Sequence, residues 1–269
     1  MVNLKNKVVL ITGASSGFGE DAARMLAKEG CYIVLAARRI EQLQTIAEII
    51  QHDGGEAVAI PVDITNRDDV ENMVQSALTI YDQIDILFNN AGIGRVDWFE
   101  NHTPERDIEL LVQVNLIGLM QVTRAVLPHM LARGSGHIIN MSSVAGLIAS
   151  PLITSYAASK FGVRAFTDAL RREVAPLGIK VSGIYPGPAA TEFGQHTGGN
   201  AAYRAVRSRF KVSMPSEYVA RRIVDVAKRP RRSLVIPWWF RLVVGFDTIA
   251  PILVDWILYF FFDHFFIIF

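Results

Sequence analysis

The feature that most constrains this chain is an alternation. From residue 7 onward, short apolar runs rich in β-branched residues take turns with longer stretches of helical periodicity. The runs are KVVLIT, YIVLAA, EAVAIP, IDILFN, GHIINMS, IKVSGIY and SLVIP. They are apolar throughout instead of alternating with polar residues, as strands covered on both faces must be. Between them the spacing predicts helices over 17–29, 40–52, 67–81, 104–132, 154–175 and 215–228. Strand and helix in strict turn build a doubly wound parallel sheet with helices on both faces. A chain of 269 residues is ordinary for one such domain. No repeat or linker divides it, and the long irregular stretch at 186–210 has the length of a functional lid.

Lys and Arg number 27 against 26 Asp and Glu, so no basic excess points to a nucleic-acid partner. The single cysteine, Cys31, has no partner for an internal disulfide and suits a reducing compartment. The six histidines are scattered without ligand spacing, so no metal is expected. The first residues run directly into a strand-like segment and lack the pattern of a secretory leader.

Directly after the first run comes TGASSGFG. Gly13, Gly17 and Gly19 would let the backbone approach a pyrophosphate, while the N-terminus of the following helix offers N–H donors and partial positive charge. The second run ends in Ala37, Arg38 and Arg39. A carboxylate near this position accepts from a ribose 2′-hydroxyl, whereas arginine grips a 2′-phosphate, so the sequence favours NADP(H) over NAD(H). Solvated arginines at a helix start are the other reading. Further on, SYAASK sets Tyr156 and Lys160 at i and i+4, on one helical face among small residues. Alone, that pair more often marks an ordinary exposed helix.

TGASSGFG, NNAG at 89–92, NMSS at 140–143, YAASK at 156–160 and PG at 186–187 occur in that order. With them the chain resembles the short-chain dehydrogenases/reductases over roughly residues 5–237. The resemblance implies a Rossmann-type domain and a catalytic set of Asn115, Ser143, Tyr156 and Lys160. In it Tyr156 passes the proton, Lys160 tunes it and reaches the nicotinamide ribose, Ser143 holds the substrate oxygen, and Asn115 holds a water. A tyrosine active near pH 7 needs its phenolate stabilised by roughly 3 to 4 kcal/mol, and an adjacent ammonium is a suitable source. The resemblance also implies cofactor contacts from Ser15, Ser16, Phe18, Asp63, Asn89, Ala91, Gly92, Pro186, Gly187, Ala189 and Thr191, with Asn89 and the NAG turn at 90–92 supporting both the cofactor and the sheet. Relatives commonly assemble as dimers or tetramers through the helices at 104–132 and 154–175. Two departures stand out. Ser16 replaces the basic loop residue of many NADP-preferring relatives, and Ala189 replaces a larger residue after PG.

Residues 1–237 therefore read as the catalytic domain, with 186–214 as a substrate lid, and 238–269 as a hydrophobic helical extension. No uncharged stretch in the extension reaches the roughly 18 to 20 residues of a spanning helix, because Asp247, Asp255 and Asp263 interrupt it. Eight-residue steps would keep those aspartates on one side of a continuous helix, although Pro251 breaks such a helix. The extension reads as a monotopic membrane anchor, a subunit interface or a cap over the cleft, and the basic RPRRS at 229–233 would suit anionic headgroups. The expectation is an NADP(H)-dependent oxidoreductase for a lipophilic ketone or alcohol, cytoplasmic and peripheral or monotopic at a membrane. The alternative is a catalytically silent dinucleotide-binding sensor or scaffold.

Overall fold

The computed structural model describes residues 1–190 and 213–266. Seven strands form one parallel sheet: β1 (Val8–Thr12), β2 (Tyr32–Ala37), β3 (Glu56–Pro61), β4 (Ile86–Asn89), β5 (Gly136–Met141), β6 (Ile179–Pro186) and β7 (Ser233–Ile236). Their spatial order is β3-β2-β1-β4-β5-β6-β7. Every pairing is parallel, with Val9 opposite Ile33 on one side and Ile86 on the other. The helices are α1 (Gly17–Lys28), α2 (Ile40–His52), α3 (Arg67–Tyr81), α4 (Pro104–Arg133), α5 (Thr154–Val174) and α6 (Ser216–Lys228). The doubly wound sheet expected from the alternation is thus the observed fold.

β1 shows why its sequence is apolar at every position. Val9 and Ile11 pack in one core with Ala22 and Leu26 of α1, Leu43 of α2 and Ile223 of α6. Val8 and Leu10 face the other core, with Met73 of α3, Val126 of α4 and Leu170 of α5. Successive side chains alternate across a strand, so a strand covered on both faces has no polar position to offer. The helix α4 is long and apolar enough to cross a membrane by composition, yet Val122, Val126 and Met130 bury against the sheet, which makes it a core helix.

Strand order reverses between β1 and β4. Crossovers from β1 lead to β2 and β3 on one side, and those from β4 lead to β5 and β6 on the other, so their carboxyl ends part and leave a crevice.

Beyond β7 the chain forms α7 (Phe240–Ile249) and α8 (Pro251–Phe266). The break falls at Ala250, where α7 and the first ten residues of α8 meet at 113°. The break expected at Pro251 is present, so the aspartate stripe of a continuous helix does not form. Asp247 and Asp255 lie on different helices, and the turn between them resets the rotational phase.

Candidate active site

The glycine loop joins β1 to α1 at the crevice. Gly13 has φ +65°, and a Cβ there would sit 2.7 Å from the Ala91 Cα, so the turn after β4 presses on the loop. A Cβ on Gly19 would run into the Gly13 carbonyl and lie 2.7 Å from Asn90 Nδ2. Asn90 pins the loop, donating through Nδ2 to the carbonyls of Gly13 at 3.0 Å and Thr12 at 3.2 Å. Thr12 Oγ1 in turn accepts from the backbone of Asn90 and Ala91.

Ser16 stands at the N-cap of α1 with no side-chain cap, which leaves the first-turn amides pointing at the crevice. The Arg39 guanidinium reaches across from the end of β2 and donates to Ser15 Oγ and Ser16 Oγ, both at 3.0 Å. Uncapped amides, a glycine turn and a guanidinium converge on one place, and that donor set suits a dinucleotide phosphate.

On the far side of the crevice, α5 carries Tyr156 and Lys160 one turn apart. Lys160 Nζ is 5.7 Å from the Tyr156 ring centroid and donates to the Met141 carbonyl at 3.2 Å. Lys160 is 3 % exposed. Its burial pushes the ammonium down from 10.5 to about 8. It therefore remains mostly cationic at neutral pH.

Ser143 follows β5; its Oγ accepts from the Ala145 amide at 3.1 Å and donates to the Pro186 carbonyl at 3.4 Å. Asn115 lies in a widened turn of α4, Gln113–Gly118, a distortion often found at functional sites. Its amide clamps the Ile93 backbone, with Oδ1 accepting from the N–H and Nδ2 donating to the carbonyl, both at 2.8 Å. Gly92 sits between the two helices. A Cβ there would approach Asn115 Oδ1 to 3.1 Å and Lys160 Nζ to 3.4 Å.

A cleft of about 1430 Å³ runs from the glycine loop past Ser143, Tyr156 and Lys160, while Asn115, expected to hold a water, is fully buried and does not line it. Such a volume exceeds the roughly 300 to 1,000 Å³ of most small-molecule sites and can take a dinucleotide together with a substrate. Gly13, Ser15, Ser16, Gly17, Phe18, Arg38, Arg39, Asp63, Ala91, Gly92, Ser143, Tyr156, Lys160, Pro186, Gly187 and Ala189 all line it. Val96, Leu110, Leu111, Leu152, Trp239 and Phe240 make its other end largely apolar. Beside them Asp107 accepts a fork of hydrogen bonds from Arg106, both at 2.8 Å, which with Thr103 and Arg95 holds its carboxyl well below the usual carboxylate range.

Some expected residues sit elsewhere. Asn89 is buried behind the cleft, donating to Thr123 Oγ1 and Asn140 Oδ1 at 2.9 Å, so it braces the sheet. Gly19 supports the loop from below and does not line the cleft. Asp63 lines it but also closes its own turn, accepting from the Thr65 amide at 2.9 Å and hydroxyl at 2.7 Å. Thr191 and most of the expected lid lie outside the described residues.

Other supports were not anticipated. Ser159 Oγ accepts from Asn115 Nδ2 at 3.0 Å and donates to the Tyr156 carbonyl at 2.7 Å. Ser142 Oγ donates to the Lys160 carbonyl at 3.0 Å. Both serines lie inside the motifs NMSS and YAASK, but a small polar residue beside a functional one looks like any other, so their part was not read.

The family model for short chain dehydrogenase matches residues 7–201. An uncharacterized oxidoreductase of Staphylococcus saprophyticus is 35% identical over 238 residues, covering 87% of this chain and 95% of the relative. Among solved structures, a short chain dehydrogenase/reductase from Burkholderia phymatum in complex with NAD superposes with a TM-score of 0.85 at 25% identity, over 94% of this chain and 96% of that one. Actinorhodin polyketide ketoreductase with NADPH gives 0.79 at 29% identity, over 89% and 99%.

Proposed function

The chain belongs to the short-chain dehydrogenase family, and from that premise we propose that it interconverts a carbonyl and a secondary alcohol on a lipophilic substrate, using NADP(H). That it is an oxidoreductase of this family with a nicotinamide-dinucleotide fold follows from the family itself. The observation that carries the finer reading is the convergence of Ser143, Tyr156 and Lys160 in a cleft whose far end is apolar.

Gly13, the amides of Gly17 and Phe18, Arg38, Arg39, Asp63, Gly92 and the Pro186–Ala189 segment would hold the cofactor. When bound, the nicotinamide supplies or takes up the hydride. In the reductive direction the Tyr156 hydroxyl gives its proton to the carbonyl oxygen. The Ser143 hydroxyl exchanges its long bond to Pro186 for one to the same oxygen. The Lys160 ammonium stabilises the phenolate that Tyr156 leaves behind. Asn115 fixes the Ile93 backbone, and so keeps the Gly92 turn clear of Lys160. NADP(H) is favoured because Arg39 is already drawn over the loop serines and exposed Arg38 stands at the same rim.

Residues 1–237 would then be the catalytic domain and 238–269 an extension that seats the enzyme on a membrane surface. Exposed Ile117, Met120 and Phe161 on α4 and α5 are suited to assembly of like subunits.

Replacing Tyr156 with Phe tests the catalytic assignment. Turnover of a ketone panel with NADPH should vanish while cofactor affinity measured by fluorescence titration stays near wild type. Retention of more than about one per cent of the rate would mean that another group transfers the proton, since a placed acid contributes roughly a hundredfold or more.

A further inference from the structure

The tail and the cleft share residues. Trp239 and Phe240, where the extension begins, line the cleft, and their rings stack with centroids 4.0 Å apart. The Phe240 ring occupies the space beside Gly187, where an added Cβ would lie 2.6 Å from Cε2. One wall of the cleft is therefore the first turn of the extension.

Immediately beyond, the surface is largely apolar, broken by exposed Arg241, Thr248 and Asp255. Ile249 is 85 % exposed, Ile252 74 % and Trp256 70 %, and Leu242, Leu253 and Phe260 are exposed as well. Among the described side chains of α8 only Val254 is buried. A second copy or a single partner helix would cover one face of such a pair and leave the rest in water. A lipid phase covers all faces at once.

Ten residues in α7 and sixteen in α8 amount to about 15 and 24 Å of helix, both short of a hydrocarbon core of roughly 30 Å. Bent at 113°, the pair is shaped to enter one leaflet and turn back. Exposed Arg229, Arg231, Arg232 and Arg241 flank its base beside Trp238 and Trp239. Basic and indole side chains in that arrangement match the headgroup layer of an anionic membrane.

We infer that an anionic bilayer holds the α7–α8 hairpin and that the lipophilic substrate passes from the lipid into the cleft beside Trp239 and Phe240. This rests on the catalytic reading above and adds its route of supply. Substrate dissolved in the leaflet meets the cleft at the wall that the tail itself builds, so the concentration that governs turnover is that in the membrane.

The test uses the full-length protein with NADPH and two ketones. One is a long-chain methyl ketone dissolved in phosphatidylcholine–phosphatidylserine vesicles, and the other is a short water-soluble ketone. With total long-chain ketone held fixed, added lipid should lower its reduction in proportion to its mole fraction, while the short ketone is unaffected. The double variant Ile252→Asp, Trp256→Asp should stop floating with vesicles and lose about tenfold or more in long-chain rate, as expected when a hydrophobic anchor is removed. Its short-ketone rate should stay within about twofold of wild type, because neither residue touches the cleft.

Trp239→Ala should still float but change the ratio of KM for the two ketones. Flotation with a long-chain rate that ignores mole fraction would overturn the route and leave the membrane seat standing. Failure of the wild-type protein to float would overturn both. Reduction of neither ketone, with the protein afloat, would instead refute the catalytic reading and the route built on it.

Discussion

Lys160→Met should make the cofactor-free protein more stable at pH 7 while destroying its activity. Burial places the Lys160 ammonium at about 8 in the folded state against 10.5 when exposed. That difference of about 2.5 units corresponds to roughly 3 kcal/mol spent on keeping a cation in the interior below pH 8. Methionine matches the length of the stem and carries no charge. It forfeits the bond to the Met141 carbonyl, which is worth about 1 to 2 kcal/mol. The variant should therefore gain about 1 to 2 kcal/mol at pH 7.

The sign fixes the pH dependence. Because the folded value lies below the unfolded one, the residue's penalty is fully present below pH 8. It is relieved as pH rises from about 8 to 10.5, so wild-type stability should climb over that window relative to the variant. Urea unfolding of both proteins without cofactor, at pH 7 and pH 9.5, measures the difference directly. A variant that is less stable than wild type at pH 7, with a gap that does not change at pH 9.5, would refute the argument that Lys160 is held at a cost.

Arg38→Asp should move the ratio of specificity constants from NADP(H) toward NAD(H), since a carboxylate repels a 2′-phosphate and accepts from ribose hydroxyls; an unchanged ratio would transfer the phosphate grip to Arg39 alone. His137 is buried against Ser182 Oγ at 2.8 Å, and burial pulls it down to about 3 from 6.5. A depressed folded value gives stability that is present above pH 6.5 and lost as pH falls toward 3. Between pH 7 and pH 5 wild type should thus lose about 2 kcal/mol more than His137→Gln in urea titrations, and equal losses would show that the imidazole is not held neutral.

The sheet was legible because its central strands are buried on both faces, and a strand such as β1 consequently announces itself with five apolar or β-branched residues in a row. The i, i+4 pair on α5 was legible for a similar reason, since the helix period alone brings Tyr156 and Lys160 together. What escaped was anything decided by a single residue of phase or by distant chain. Asn89 and the NAG turn were expected to support the cofactor and the sheet, but not the division between them: Asn89 ends a strand and turns into the sheet, while Asn90 opens the turn and holds the glycine loop. Ser142 and Ser159 support the site through backbone carbonyls that only the folded chain brings near. Trp239 and Phe240 were read as part of a tail, because nothing local says that β7 ends beside Pro186 and delivers them to the cleft.

That last arrangement has a consequence for how such a scaffold can change. β6 and β7 finish level, with Pro186 opposite Ile236 and the Gly187 amide donating to the Ile236 carbonyl at 2.7 Å. Ser143, Tyr156 and Lys160 all precede this seam, and the wall formed by Trp239 and Phe240 follows it. Whatever peptide is spliced on after residue 237 inherits a place beside the reacting groups without sharing their framework. Substrate range and subcellular address can then diverge together by exchange of one terminal segment, while the chemistry upstream is left alone.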